Sequence, residues 1–163
     1  LRIVDEQGCA LGAGHIGELQ IKGPQVISEY WNNDEATRAT FEDSWLKTGD
    51  VAFIDVQGWV YLVDRLKDQI NVSGYKVWPR EVEDVLYRHP AVHEAAVVGR
   101  PDDYQGESVA AFVALHATAT VSGQELMDFV RERLAPYKVP RHIEFVADLP
   151  KTQTGKIKRR ELR

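Results

Sequence analysis

The sequence predicts an α+β fold, and three observations predict it. Short strand-like stretches separated by Gly-containing turns fill the first third. Two amphipathic helical patterns stand in the second half, and apolar runs rich in Val and Ala lie between them. The 163 residues, 44% hydrophobic and 28% charged, suit one ordinary domain or two small ones and argue against disorder. With 20 Lys plus Arg against 25 Asp plus Glu the net charge is −5, which does not favour a partner made of nucleic acid. The longest strongly apolar run, Val109 to Leu115, falls far short of the roughly 18 to 20 residues of a membrane span, and no N-terminal signal pattern precedes it. The chain therefore reads as cytoplasmic. A lone Cys9 cannot form an internal disulfide and has no companion at zinc-ligand spacing, so no metal site is expected.

In chain order, Ile16 to Lys22, Asp50 to Ile54 and Trp59 to Asp64 are predicted strands, the last two joined by Asp55-Val56-Gln57-Gly58 as a hairpin. The charged run Asp64-Arg65-Leu66-Lys67-Asp68 is taken as a boundary, with a hinge at Lys67. A helix is predicted from Pro79, because proline suits a first turn and Val82, Val85 and Leu86 form an i, i+3, i+4 stripe. Glu81 and Glu83 near its start and Arg88 and His89 near its end match the helix dipole, and Pro90 stops it. A second helix follows Ser122-Gly123-Gln124-Glu125, a capping-box pattern, with Leu126, Phe129, Val130 and Leu134 along one face before Pro136. Ala95 to Val98 and Ser108 to Leu115 suit buried strands, giving a βαββαβ-like order.

Several local patterns mislead. Gly12-Ala13-Gly14-His15-Ile16-Gly17 matches GxGxxG, but a strand-like alternation follows it where a dinucleotide site needs a helix, so it reads as a turn. Asn71-Val72-Ser73 is a formal glycosylation sequon without a secretory context. His89 and His93 stand four apart, yet Pro90 between them breaks the helix that would align them. Lys151 to Arg163 holds six basic residues against the single Glu161. That run keeps nucleic-acid binding open as an alternative, although the whole chain is acidic.

Thr48-Gly49-Asp50, Arg65-Leu66-Lys67-Asp68, Ser73-Gly74-Tyr75-Lys76 and Pro150-Lys151-Thr152-Gln153-Thr154-Gly155-Lys156 are weak patterns singly, but their order and spacing are distinctive. Together with Gly17-Glu18-Leu19, Gly23-Pro24 and Tyr30-Trp31 they resemble the C-terminal third of the adenylate-forming superfamily, which includes acyl-CoA synthetases, luciferases and peptide-synthetase adenylation domains. The run from Asn71 to Glu83 and the closing Lys156 to Leu162 look most like bacterial fatty-acyl-CoA ligases.

The resemblance implies a fold in two parts. Residues 1–66 would be the β-rich end of a large N-terminal adenylation domain. Residues 67–163 would be a small, mobile α+β domain with a short sheet and flanking helices. It also implies a two-step reaction on a small carboxylic acid with ATP, Mg2+ and coenzyme A, with no nucleic-acid partner and no transmembrane segment: acyl-adenylate and pyrophosphate form first, then the CoA thiol displaces AMP. Asp50 matches the aspartate that accepts hydrogen bonds from both ribose hydroxyls, a task suited to an acceptor-only carboxylate. Arg65 matches an arginine reaching the nucleotide, and its simpler reading is a surface ion pair with Asp64 or Asp68. Lys156 matches the catalytic lysine that contacts the substrate carboxylate and the α-phosphate region, where an ammonium between two anions stabilises charge developing at phosphorus. Gly155 before it, in a Thr-Gln-Thr-Gly turn, would let a flexible loop project that side chain. Lys67 matches the hinge about which the small domain rotates between steps. Gly74, Tyr75 and Lys76 match the loop that then faces the site, with Gly74 passing close to pantetheine and Lys76 near a CoA phosphate.

The superfamily's phosphate loop, adenine pocket and acyl tunnel are not found in this sequence. The chain is therefore expected to be part of a longer enzyme and inactive alone. An adenylation domain that loads a carrier protein, and a non-catalytic binding module, remain alternatives.

Overall fold

Residues Leu1–Arg163 are all described by the computed structural model, whose chain divides into two units, Leu1–Lys67 and Asp68–Arg163. The first unit is an antiparallel sheet. β1 (Arg2–Val4) pairs with β2 (Gly17–Ile21), and β2 with β4 (Trp45–Ile54). β4 is long enough to serve two further partners: its start pairs with β3 (Phe41–Glu42), and Asp50 to Ile54 pair with β5 (Val60–Arg65). The Asp55 turn closes this last hairpin as predicted, with Asp55 Oδ1 accepting from the amides of Gln57 and Trp59, both at 2.9 Å.

The last glycine of the GxGxxG stretch has a packing reason. A Cβ on Gly17 would lie 2.2 Å from the Val4 carbonyl oxygen, so only glycine lets β2 approach β1 there. The strand that follows it, rather than a helix, rules out the dinucleotide motif. One element escapes the sequence reading. Helix α1 (Asp34–Thr40) is started by Asn33, whose side chain accepts from Ala36 N at 3.0 Å, and by Asp34 and Glu35 in its first turn. It buries no residue and so carries no apolar stripe for a sequence to reveal.

The second unit is a second five-stranded sheet. It opens on a hairpin of β6 (Ile70–Val72) and β7 (Tyr75–Val77), followed by helix α2 (Pro79–Leu86). The strands β8 (Val92–Asp102) and β9 (Gly106–Leu115) pair antiparallel along their length. Helix α3 (Gly123–Arg131) then leads to β10 (His142–Phe145), which runs parallel to β9. The order is thus ββαββαβ. The extra hairpin was hidden because three-residue strands are too short to show alternation. β8 and β9 also run further than the apolar residues alone suggest, their ladder continuing through Gly99, Arg100 and Pro101 to Asp102 opposite Gly106.

Both faces of the β8–β9 pair are covered, which is why these strands read as unbroken apolar runs. Ala95, Val97, Val109, Ala111 and Val113 join α2 and α3 through Val82, Leu86, Leu126 and Val130. The alternate residues Ala96, Val98, Ala110 and Phe112 meet Leu149, Val146, Ile157 and Leu162 from the C-terminal segment. α2 begins at Pro79 as expected, and α3 has its full capping box: Ser122 Oγ accepts from Glu125 N at 3.2 Å while Glu125 Oε2 accepts from Ser122 N at 2.9 Å. α3 ends at Arg131, so Leu134 packs on the core from beyond the helix.

Candidate functional site

In the first unit the structure brings Asp50 and Arg65 together. They are cross-strand partners on β4 and β5, and Arg65 Nε lies 2.8 Å from Asp50 Oδ1. The expected surface pair of Arg65 with Asp64 or Asp68 gives way to this one, although Asp64 Oδ1 does accept from the Arg65 amide at 2.7 Å. The approach to Asp50 is wired from the sequence around it. Thr48 Oγ1 donates to Leu19 O at 2.7 Å and accepts from Asp50 N at 3.0 Å, while Glu18 Oε1 accepts from Gly49 N at 3.2 Å. A partly exposed carboxylate held on a sheet, with one oxygen on a guanidinium, keeps acceptor capacity for hydroxyl donors.

In the second unit Gly74 sits at the tip of the β6–β7 hairpin. Ser73 and Gly74 both have positive φ, 51° and 87°, and Asn71 Oδ1 accepts from Gly74 N at 2.8 Å. The conformation itself therefore favours glycine at 74. Tyr75 leaves this tip exposed and stacks on Tyr137 at 4.7 Å between centroids, and Lys76 is the cross-strand partner of Asn71. A cavity of about 290 Å³ lined by Val72, Gln105, Tyr137 and Arg141, among others, adjoins these elements. No local sequence pattern marks Tyr137 or Arg141 as part of this surface.

Lys156 is exposed at the end of a turn that is hydrogen-bonded rather than open. Thr152 N donates to Lys156 O at 2.8 Å, Lys156 N to Thr152 Oγ1 at 3.1 Å and Gly155 N to Thr152 O at 2.9 Å, and Lys151 bridges to Ile157 across it. Gly155, with φ of 80°, closes the turn. Lys67 lies in a short 3-10 turn, Leu66–Asp68, and is the last residue of the first unit.

The basic tail is largely neutralised within its own unit. Lys151 pairs with Glu94 and Asp148, Lys158 with Glu161, Arg159 with Glu83 and Asp68, and Arg163 with Asp68. These contacts raise the Lys151 ammonium above its usual range, Glu94 first and Asp148 second, and the same lysine holds the Asp148 carboxyl below its own. Such pairing lowers the net positive charge of the stretch that suggested a phosphate-backbone reader. It also revises Glu81 and Glu83, which the sequence explained by the helix dipole alone: Glu81 takes Lys138 Nζ at 2.7 Å, and Glu83 is buried in an ion pair. His89 and His93 do not converge, since His89 packs edge-on against Phe129 and His93 lies against His116.

Residues 81–156 match the AMP-binding enzyme C-terminal domain. The chain is 52% identical over 146 residues to a long-chain-fatty-acid–CoA ligase of Bacillus subtilis strain 168, covering 90% of this chain and 26% of that protein. It is 41% identical over 160 residues to a 2-succinylbenzoate–CoA ligase of Bacillus cereus strain Q1, covering 98% and 33%. Among solved structures, the amide bond synthetase McbA from Marinactinospora thermotolerans matches with a TM-score of 0.93 and 41% identity, over 99% of this chain and 33% of that one. The chain thus spans about a quarter to a third of the length of these relatives.

Proposed function

We propose, from a chain that belongs to the adenylate-forming, AMP-binding enzymes and is the C-terminal part of one, that the parent is an ATP-dependent acid–thiol ligase acting on medium- or long-chain fatty acids. The observation that carries this reading is the 52% identity, over 90% of the chain, to a protein named for that reaction. Residues 1–66 are assigned to the end of the larger adenylation domain and residues 67–163 to the domain that turns about Lys67. The chain alone is proposed to be inactive, because the resemblance assigns the phosphate loop and acyl pocket to the larger domain. A cytoplasmic setting belongs to the same proposal; no helix is long and apolar enough to cross a membrane.

In the first step a carboxylate oxygen of the acid attacks the α-phosphorus of ATP, the bond to the β-phosphate oxygen breaks and pyrophosphate leaves. Asp50 accepts from the ribose hydroxyls, oriented by Arg65, and the Lys156 ammonium stabilises charge that grows at phosphorus only as the two anions meet. In the second step the small domain has turned on a few backbone angles at Lys67 and presents the Gly74 hairpin. The CoA sulfur attacks the acyl carbon, the thiol proton is lost and AMP leaves. Tyr75, Lys76 and the adjoining cavity line the face assigned to CoA. Mg2+ would screen the triphosphate, and no group of three or more His, Cys, Asp or Glu side chains in this chain could hold it.

The likeness to an amide bond synthetase favours one second reading, in which an amine takes the acyl group in place of CoA. Acid-dependent pyrophosphate release by the full-length parent, followed by addition of CoA or amine, tests both. Lys156→Ala should slow adenylation about a hundredfold or more while thioester formation from supplied acyl-adenylate persists. A parent that releases no pyrophosphate with any fatty acid would overturn the ligase reading, and product with amine but not CoA would establish the second.

A further inference from the structure

The segment that carries Lys156 and the helix α2 cover opposite faces of the β8–β9 pair. They meet around its edge. β8 pairs only with β9, so its other side presents backbone donors that need partners. The Val97 amide is answered by Glu83 of α2, whose Oε1 accepts from it at 2.8 Å. The same carboxylate takes Arg159 from the C-terminal segment in a forked contact: Nη2 donates to Oε2 at 2.6 Å and to Oε1 at 2.8 Å, and Nε to Oε1 at 3.2 Å. Glu83 retains only 8% of its side-chain exposure and Arg159 24%, so this is a desolvated pair rather than a surface one. Asp68, the first residue after Lys67 and itself buried, lies 3.9 Å from Arg159 Nη1 and accepts from Arg163 Nη2 at 3.1 Å.

Arg159 stands three residues after Lys156, so their Cα atoms are at most about 10 Å apart. The intervening chain is tied down, with Ile157 packed on the sheet and Lys158 N donating to Pro150 O at 2.8 Å. The turn is anchored on its other side by Lys151, 2.7 Å from Glu94 of β8 and 3.0 Å from Asp148. A long exposed lysine gains its effect only if its backbone is held where two anions will meet, because displacement by about 1 Å can cost a hundredfold.

We propose that Arg159, through Glu83, is a positioning residue for Lys156, fixing the lysine turn to α2 and to the residue that follows the hinge. The inference rests on the adenylation role given to Lys156 above. The fork makes the guanidinium, rather than charge alone, the requirement.

The test uses the full-length parent and follows each half-reaction separately in Arg159→Ala, Arg159→Lys, Glu83→Gln and Lys156→Ala. Arg159→Ala should lower kcat for pyrophosphate release about tenfold or more, with KM for ATP and for the acid changed less than about twofold, and should leave thioester formation from supplied acyl-adenylate within about twofold of wild type. Arg159→Lys should recover part of the loss. Glu83→Gln keeps an acceptor for Val97 and for Arg159, so it folds if Arg159→Ala does not, and should show a smaller loss confined to adenylation. Equal losses in both half-reactions would assign the pair to the fold alone and overturn the inference. So would undiminished adenylation in Arg159→Ala while Lys156→Ala loses it. Undiminished adenylation in Lys156→Ala would instead overturn the reading on which the inference rests, and the inference with it.

Discussion

The second unit draws Ile70, Leu86, Val97, Val113, Leu126 and Val130 into one fully buried cluster, whereas the first clusters Ile3, Leu19 and Ala52, buries Val4 and Val51 beside them, and leaves Trp31 95% exposed, with Val56, Trp59 and Leu62 also in solvent. The contrast follows from architecture. In Asp68–Arg163 the β8–β9 pair is covered on both faces by parts of its own unit. The sheet of Leu1–Lys67 has only the short α1, which buries nothing. One unit supplies its own apolar partners, and the other displays apolar side chains to solvent. That is how the proposed division of labour in the parent would look in packing terms.

The strongest way to break this comparison is to separate the units. Asp68–Arg163 expressed alone should unfold in a single cooperative thermal transition, and Leu1–Lys67 alone should show none by circular dichroism. Two cooperative transitions of similar steepness would show that the smaller cluster suffices. Within the chain, Leu126→Ala, fully buried, should lower stability by about 2 to 5 kcal/mol in urea titration, and Leu62→Ala, 58% exposed, by no more than about 0.5 kcal/mol. A large Leu62 effect would mean that its surroundings are more ordered than its exposure implies.

The smallest effect concerns the α3 cap. Ser122→Ala should cost about 1 kcal/mol at neutral pH. The Ser122 amide and hydroxyl hold the Glu125 carboxyl below its usual 4.5. A carboxyl depressed on folding contributes stability above that value and loses it as pH falls through the folded pKa, so the deficit of Glu125→Gln should shrink on acidification. A deficit constant from pH 7 to pH 3 would show that the reciprocal cap does not depend on charge.

Where several residues agree over a long enough span, sequence pattern and structure coincide. The Asp55 hairpin, the start of α2 at Pro79 and the capping box of α3 each follow from several residues agreeing. α1 is not legible because an exposed helix has no stripe, and β6 and β7 are not because three residues cannot display a period. At the candidate site the sequence named Asp50 and Arg65 singly, but only the register of β4 and β5 makes them partners. Glu83 and Arg159 were legible only as a helix-start acid and a tail base. They lie 76 positions apart, and no local pattern signals a contact across that distance. Lys151 was likewise a tail charge until β8 placed Glu94 beside it.

The alternation along β9 has an evolutionary corollary. Its odd positions, Val109, Ala111 and Val113, belong to the helices, and its even positions, Ala110 and Phe112, to the segment bearing Lys156. Inserting one residue at the start of this strand would hand each layer the side chains cut for the other, while inserting two would restore the parity. Length variation in this region should therefore be confined to even steps within the strand, and single-residue indels to the turn between Asp102 and Gly106, where neither layer keeps count.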